Sequence, residues 1–286
     1  MVLPMSSPLP AHAPQRDLKP HPAVRNVIAV GSGKGGVGKS TTAVNLAAAL
    51  MQEGLKVGVL DADIYGPSIP MMLGISGKPE SPDGKCFMPL TGHGLEAMSM
   101  GTLVEPDAAM IWRGPMATSA LMQLFNDTRW GDLDVLVVDL PPGTGDVQLT
   151  LAQKIPVAGA VVVTTPQDIA TLDAKKALKM FEKVEVPVLG LVENMAVHVC
   201  SQCGHAEHVF GSGGGEAMAA QYGVPLLGSL PLDVRIRKQG DAGLPVTLAE
   251  PDSAVALAYR QLAQQLLAEL DKRPRARMPI AASLLG

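Results

Sequence analysis

The chain has 286 residues and a formal net charge of -4 at pH 7, with 47% hydrophobic and 17% charged residues. This composition excludes an intrinsically disordered chain, and its slight acidity argues against a broad nucleic-acid-binding surface. No apolar run reaches the roughly 18 residues that a membrane-spanning helix needs, and three cysteines are too few for a disulfide framework. We therefore expect a globular cytoplasmic protein without a membrane or nucleic-acid partner.

The first half of the chain opens with a proline-rich segment, residues 1–24, which we expect to be a flexible tail. From residue 25 onward, apolar strands alternate with helices. A strand is predicted at 26–30, a helix from Lys39 to about Gln52, and a second strand at 57–60. Strands that are apolar throughout are typical of a mostly parallel sheet with helices on both faces. The sequence therefore predicts an α/β fold.

The remaining elements continue this alternation. Strands are predicted at 135–138, 160–163, 188–192 and 226–228, and helices near 116–126, 168–184, 214–222 and 253–271. The Gly-, Pro- and Met-rich stretch near 66–114 fits the alternation poorly, so we expect an insertion with a small hairpin there. The prediction is a single domain over 25–271, followed by a flexible basic tail over 272–286.

A phosphate-binding loop is predicted at residues 33–40, GKGGVGKS, between a strand and a helix. Its glycines let main-chain N–H groups converge on phosphates, Lys39 supplies charge to the β- and γ-phosphates, and the Ser40 hydroxyl is placed to bind Mg²⁺. The second lysine, Lys34, resembles the deviant Walker A signature of the MinD, ParA and nitrogenase iron-protein ATPases. That resemblance implies a P-loop NTPase fold in which Lys34 reaches across a dimer interface; a solvated lysine is the alternative.

Acidic residues suited to magnesium chemistry follow two of the strands. Asp139 ends one strand and precedes a Gly- and Pro-rich loop, residues 140–146, so we expect it to hold a metal-bound water while the loop senses the γ-phosphate. Asp61 and Asp63 follow the strand at 57–60. The pattern of the ATPase group favours Asp63 to orient the attacking water and Asp61 as a helper near the metal, and either could instead cap the next turn.

Further nucleotide contacts are implied by the same resemblance. Asn194, just past a strand end, resembles the adenine-contacting asparagine of these ATPases, with a turn-forming role as the alternative. The loop itself is expected to contact the nucleotide through Gly33, Lys34, Gly35, Gly36, Val37, Gly38, Lys39, Ser40 and Thr41.

A second predicted site is the CxxC pair Cys200 and Cys203, in a loop near 198–212. The spacing lets two thiolates point at one soft metal or cluster, yet a zinc ion or a four-iron cluster generally takes about four ligands. In one alternative, His205 and His208 complete a zinc site within the chain. In the other, two chains related by a twofold axis bring two pairs together around one cluster. Unliganded thiols and a redox disulfide are further alternatives.

Six motifs in combination resemble the Mrp/ApbC family of iron-sulfur carrier ATPases. They lie at residues 34–41, 61–70, 112–116, 139–146, 165–168 and 192–203. The resemblance covers residues 26 to about 247 and implies a homodimer that binds ATP and Mg²⁺ and hydrolyses ATP slowly, with Lys34, Lys39 and Asp63 in catalytic roles. It also implies a 4Fe-4S cluster held between subunits by Cys200 and Cys203, a cluster donor, and recipient apoproteins. Ser201 stands where many members have proline, a departure that removes no ligand.

Three other functions match parts of the pattern. A positioning ATPase that acts on a membrane or DNA would need a terminal amphipathic helix or a basic surface, and the last residues, 278–286, are too short and weakly patterned for such a helix. A redox protein that passes electrons through its cluster would share the cysteines and the phosphate loop. A zinc-stabilised regulatory ATPase would rely on the histidines.

Overall fold

The computed structural model describes residues 8–15, 18–64, 66–103 and 114–276. Tyr65, the Trp112 and Arg113 pair of the third motif, and the outer parts of both predicted tails lie outside these residues. Within the described part of the chain, no helix is both long and apolar enough to cross a membrane.

A twisted central sheet organises the molecule. The strands in the described residues are β1 (Val24–Ser32), β2 (Val57–Asp61), β3 (Leu90–Gly92), β4 (Leu95–Ser99), β5 (Leu133–Asp139), β6 (Gly159–Thr164), β7 (Val188–Glu193), β8 (His198–Val199), β9 (Ala206–Glu207) and β10 (Leu226–Ser229). Eight of them form one sheet in the order β10-β7-β6-β1-β5-β2-β4-β3, and β8 pairs with β9 in a separate hairpin. Neighbours in the large sheet are parallel except β3 and β4.

Helices cover both faces of this sheet. They are α1 (Lys39–Gln52), α2 (Ile69–Met72), α3 (Gly114–Asp127), α4 (Asp146–Lys154), α5 (Asp168–Lys183), α6 (Gly214–Tyr222), α7 (Val234–Asp241), α8 (Val246–Ala249) and α9 (Ala254–Asp271), with a 3-10 turn at Met100–Thr102. Leu46 of α1 and Leu266 of α9 are buried in the core on one face. Leu121 of α3, Leu151 of α4 and Phe181 of α5 are buried in the core on the other.

The predicted α/β architecture is confirmed, since the mostly parallel sheet carries helices on both faces. The reason is visible in β5, which is buried at every position and therefore needs apolar side chains on both faces. The expected hairpin within 66–114 is also present, as β3 and β4. However, β4 pairs in parallel with β2, so the insertion extends the central sheet instead of standing apart from it.

The N-terminal segment differs from the predicted flexible tail. Within residues 8–15, three side chains are buried, those of Leu9, His12 and Gln15. Main-chain hydrogen bonds of 2.8 and 2.9 Å join residues 11–13 to residues 274–276, so the start of the predicted C-terminal tail is packed as well. The Asn26 side chain accepts from the His12 main-chain N–H at 2.9 Å. Polar side chains of the sheet thus bind this segment, which composition alone does not reveal.

Candidate functional site

The carboxyl ends of β1, β2, β5 and β7 meet along one edge of the sheet, where open α/β folds bind their ligands. β1 lies next to β5, and β5 lies next to β2, with Asp61 and Asp139 paired in register. The chain leaves β1 through the phosphate loop and enters α1 at Lys39. Topology therefore gathers the predicted phosphate and magnesium residues at one place.

The phosphate loop borders a cavity of about 230 Å³. Residues of its wall include Lys34, Gly35, Gly36, Gly38, Lys39, Ser40, Thr41, Asp63 and Pro142. Gly38, which precedes α1, has φ of 80°, and a Cβ built there would lie 2.2 Å from the Asn194 Nδ2 atom. A side chain at position 38 would therefore be both strained and blocked, so the approach of the loop to Asn194 requires glycine.

A buried ion pair joins the loop to β5. The Lys39 ammonium lies 2.5 Å from Asp139 Oδ1 and donates a weaker bond to the Ser40 hydroxyl at 3.4 Å. Burial raises the pKa of Asp139, whereas the Lys39 charge opposes that rise. The second oxygen, Asp139 Oδ2, is buried without a hydrogen-bond partner among the described residues. A carboxylate oxygen with an open position beside a serine hydroxyl fits a hydrated Mg²⁺ ion.

The two aspartates after β2 have different surroundings. Asp61 is buried, and its carboxylate accepts hydrogen bonds from the N–H groups of Asp63, Ser68 and Ile69 and from the Ser99 hydroxyl. Burial, reinforced by the nearby Asp139, raises the pKa of Asp61 to about 7. Asp61 therefore organises the turn after β2, as in the turn-capping alternative. Asp63 is partly exposed and lines the phosphate cavity.

Asn194 lies where β7 ends and belongs to a second cavity, of about 220 Å³, that adjoins the phosphate loop at Gly38 and Thr41. Its side-chain amide donates to the Val37 carbonyl at 2.9 Å. The amide therefore holds the loop from behind while its other atoms face the cavity. Sequence reasoning missed the rest of the wall, which includes Met71, Met72, Leu232, Asp233, Ile236, Arg237 and Asp241.

The sequence does contain a signal for part of this cavity wall, the residues that follow β10. Pro231 to Asp233 come one residue after the end of β10, at the same edge of the sheet as Asn194. The Asp233 side chain then accepts the Arg235 N–H at 2.8 Å and begins α7. A strand end followed by a helix cap is the arrangement that places loops around a ligand in this class of fold. The methionines could not have been found in this way, because α2 is a four-residue helix without a distinctive pattern.

Lys34 lies at the rim of the phosphate cavity and is partly exposed. Its ammonium makes no ion pair with any residue in the described ranges, in contrast to Lys39. The loop conformation is supported from below by the Ser32 hydroxyl, which donates to the Lys34 carbonyl at 2.9 Å. The main chain of Lys34 is therefore held in place, while its side chain lies at the rim of the cavity.

The cysteine pair lies on the short hairpin formed by β8 and β9. The Cys200 N–H donates to the His205 carbonyl and the Gly204 N–H donates to the Cys200 carbonyl, both at 2.9 Å. Main-chain N–H groups of Cys203 and then Gln202 point at the Cys200 sulfur and lower the pKa of its thiol. Cys203 is exposed. The hairpin thus presents the exposed Cys203 beside the partly buried Cys200, and it favours the metal-binding thiolate form of Cys200.

The zinc alternative within one chain is not supported. His205 and His208 are both exposed, and His208 Nδ1 donates to the Ala196 carbonyl at 2.7 Å, which turns that nitrogen away from the thiols. No group of three or more His, Cys, Asp or Glu side chains is arranged for a metal ion in the described part of the chain. Close spacing in sequence therefore does not become a tetrahedral site in the described structure.

The chain matches a protein-family model described as "ParA: NUBPL iron-transfer P-loop NTPase" over residues 23–267. Two of its relatives are named iron-sulfur cluster carrier protein. The one from Pseudomonas fragi is 62% identical over 84% of each chain, and the one from Escherichia coli K12 is 62% identical over 86% of this chain and 67% of its own. The mouse iron-sulfur cluster transfer protein NUBPL is 51% identical over 90% of this chain and 81% of its own.

Solved structures agree with the fold. A nucleotide-binding protein from Archaeoglobus fulgidus, in complex with ADP, superposes with a TM-score of 0.71 at 37% identity, covering 81% of this chain and 90% of that one. The cell division ATPase MinD from Pyrococcus furiosus superposes with a TM-score of 0.62 at 22% identity, covering 84% and 98%, and so shares the fold. With the phosphate loop, the paired strand ends and the family match over most of its length, the chain belongs to the NUBPL iron-transfer P-loop NTPase family.

Proposed function

We propose that this protein is an ATP-hydrolysing iron-sulfur cluster carrier. It binds MgATP at the edge of the sheet, holds a 4Fe-4S cluster between the two subunits of a homodimer, and passes it to apoproteins. The observation that carries the proposal is the pair of thiols, the exposed Cys203 and the partly buried Cys200, on a hairpin that follows the nucleotide residue Asn194 by a short connection. The names of the relatives, which are carriers or transfer proteins, point the same way.

The nucleotide part of the proposal assigns a role to each residue around the phosphate cavity. Main-chain N–H groups of the loop and Lys39 bind the phosphates, and Asn194 contacts the adenine. Ser40 and, through a water, Asp139 would hold the Mg²⁺ ion, which supplies charge stabilisation to the transferring phosphoryl group. Asp63 orients the attacking water, and Lys34 binds the phosphates of the other subunit.

Binding of ATP requires an exchange of partners at Lys39. In the structure its ammonium neutralises Asp139, and both groups are almost fully buried. When phosphates enter, the Lys39 ammonium would turn to them, and the Asp139 carboxylate would then be free to help Ser40 hold the Mg²⁺ ion. Each negative group thereby keeps a positive partner, which avoids the large cost of an unpaired buried charge.

The cluster part of the proposal rests on ligand counting. One chain offers two thiols at the hairpin, whereas a four-iron cluster takes about four thiolates. A twofold axis that brings two hairpins together supplies all four. Exposure of the hairpin leaves the cluster accessible to a donor and to a recipient protein, as a carrier requires.

A structural connection between nucleotide and cluster supports a single function for both sites. The segment after Asn194 pairs with the segment after β10: Ala196 N–H donates to the Leu230 carbonyl and Leu232 N–H donates to the Val197 carbonyl, both at 2.9 Å. Leu232 lines the cavity beside Asn194 and also the cavity of about 490 Å³ beside Cys200. A shift of this segment on nucleotide binding would therefore move the base of the cysteine hairpin.

The proposal is tested by cluster transfer. Protein reconstituted anaerobically with iron and sulfide is mixed with an apoenzyme that is active only with a 4Fe-4S cluster, with and without MgATP. We expect the apoenzyme to gain activity, and we expect the Cys203→Ser variant to transfer nothing. The Cys86→Ser variant is the matched control, because Cys86 lies far from the hairpin, beside Asp83, and should transfer normally. Equal activation by wild type and Cys203→Ser would refute the carrier function.

A further inference from the structure

The first turn of α4 contains a buried glutamine, Gln148, whose side-chain amide forms no hydrogen bond with the described residues. Gln148 is 1% exposed, and both its Oε1 and Nε2 atoms lack a hydrogen-bond partner among the described residues. A buried amide without partners costs free energy, because it has lost its hydrogen bonds to water and has gained none within the protein. Such a group in a folded core calls for a second state in which its partners are present.

The location of Gln148 indicates which second state this is. The amide packs under the end of β1, where a Cβ built on Gly31 would lie 3.4 Å from Gln148 Nε2. Gly31 directly precedes Ser32 and the phosphate loop. The helix that carries Gln148 begins where the loop of residues 140–145 ends, and that loop starts at the buried carboxylate Asp139. Gln148 therefore lies between the two loops that surround the phosphate cavity.

The loop of residues 140–145 is attached to β1 at two points. Leu140 N–H donates to the Val30 carbonyl and Gly143 N–H donates to the Ser32 carbonyl, both at 3.0 Å. Beyond Gly143 the loop is exposed at Thr144 and Gly145. A rearrangement of this exposed part around a γ-phosphate would pull on the first turn of α4, which carries the Gln148 amide.

We infer that Gln148 is a positioning residue for the triphosphate state: when the loop of residues 140–145 closes on a γ-phosphate, its main chain forms hydrogen bonds with the Gln148 amide. The inference rests on the proposed nucleotide function and adds to it. In the arrangement that the structure describes, the unpaired amide is destabilising. In the triphosphate state the same amide is paired, so the difference favours closure.

A matched control is available at the other end of the same helix, in the N-terminal segment that packs against it. Gln15 is also buried, but its amide donates to the Ala152 and Ile155 carbonyls at 2.9 and 2.7 Å and accepts the Val157 N–H at 2.6 Å. The two glutamines thus contact opposite ends of α4, one fully bonded and one unbonded. Methionine replaces glutamine with a similar length and no amide, so Gln148→Met and Gln15→Met remove the same group from the two environments.

The experiment measures the melting temperature of the full chain and both variants alone, with Mg²⁺ and ADP, and with Mg²⁺ and the non-hydrolysable β,γ-imido analogue of ATP. Without nucleotide, Gln148→Met should melt at or above the wild-type temperature. Mg²⁺ and ADP should raise its melting temperature by as much as they raise that of wild type. The rise in melting temperature that the ATP analogue causes should be smaller in this variant than in wild type. The analogue should bind roughly tenfold more weakly, the size expected for a lost hydrogen bond. Gln15→Met should melt lower without nucleotide and keep both shifts.

Two results would overturn the inference while leaving the proposed function in place. One is a Gln148→Met variant that melts below wild type without nucleotide, as Gln15→Met does, because Gln148 would then be bonded in the resting fold. The other is an analogue shift in Gln148→Met equal to that of wild type. Absence of both nucleotide shifts in the wild-type protein would instead refute the nucleotide function, and the inference with it.

Discussion

The Lys39 ammonium and the Asp139 carboxylate form a contact of 2.5 Å in which the side chains are 6% and 0% exposed. The lysine of the phosphate loop is thus also bound to the central sheet. A buried charge that loses its partner typically costs about 3–5 kcal/mol, whereas loss of both charges costs much less. The pair therefore links stability to the nucleotide site.

A double-mutant cycle tests this link. We expect Lys39→Ala to abolish ATP hydrolysis and to lower the free energy of unfolding by about 3 kcal/mol, because Asp139 is left buried and unpaired. Addition of Asp139→Asn should restore most of that stability without restoring hydrolysis. Urea denaturation of the four proteins measures the coupling. Equal stability of wild type and Lys39→Ala would show that the pair contributes nothing to the fold.

The buried Asp61 predicts a specific pH dependence. Its pKa is raised to about 7 in the fold, from 3.8, so the folded state binds the proton more tightly than the unfolded state does. Stability from this group is therefore fully present below pH 3.8 and is lost as pH rises to about 7, by up to about 4 kcal/mol at 1.36 kcal/mol per pH unit.

The measurement for Asp61 is the stability of the magnesium-free protein from pH 5 to pH 8, compared with Asp61→Asn. The asparagine cannot ionise, so the difference between the two proteins should shift in favour of the variant as pH rises. A difference that stays constant over this range would contradict the raised pKa.

Lys34 is expected to act across the dimer. Lys34→Ala and Asp63→Ala should each be inactive as homodimers, because the first lacks the cross-subunit charge and the second lacks the group that orients water. When equal amounts are mixed, half of the dimers contain both chains and one of their two sites is intact. ATPase activity should then return to about a quarter of wild type. Proven heterodimers without activity would assign Lys34 a role within its own chain.

Gly38 allows a prediction about close packing. Alanine there would be strained by the positive φ and would clash with the Asn194 amide. We expect Gly38→Ala to lose about 1–3 kcal/mol of stability and to bind ADP weakly or not at all. Gly35→Ala is a suitable comparison, because a Cβ there would contact nothing and φ is not positive, so its stability should be close to wild type. Calorimetric titration with ADP distinguishes the two.

The sequence predicted those features that depend on local pattern. The bounds of α1 agree to the residue, and the apolar strands indicated a parallel sheet, because burial on both faces leaves a continuous apolar run. The packing of His12 and Gln15 could not be predicted in this way. It depends on hydrogen bonds to Asn26 and to the end of α4, far away in sequence, and the local prolines suggest a free tail instead.

In the candidate site, too, local patterns could be predicted from the sequence, whereas contacts between residues distant in the sequence could not. Spacing predicted site roles for Lys39, Asp139 and the cysteine pair, but it did not reveal that Lys39 and Asp139 pair with each other, or that Asp61 holds a turn. Spacing also left the zinc alternative open for His205 and His208. The folded hairpin argues against it, because His208 Nδ1 binds the Ala196 carbonyl and the described residues form no group of three or more metal ligands.

The central claim is that two chains share one cluster through Cys200 and Cys203, and metal stoichiometry against oligomeric state tests it most directly. After anaerobic reconstitution with iron and sulfide, we predict about four irons per dimer, a brown chromophore, and loss of both in Cys200→Ser and in Cys203→Ser, since each change removes two of four thiolates at once. Cys86→Ser should keep both. One zinc per monomer without stable iron, lost in a His205→Ala and His208→Ala double variant, would contradict the account.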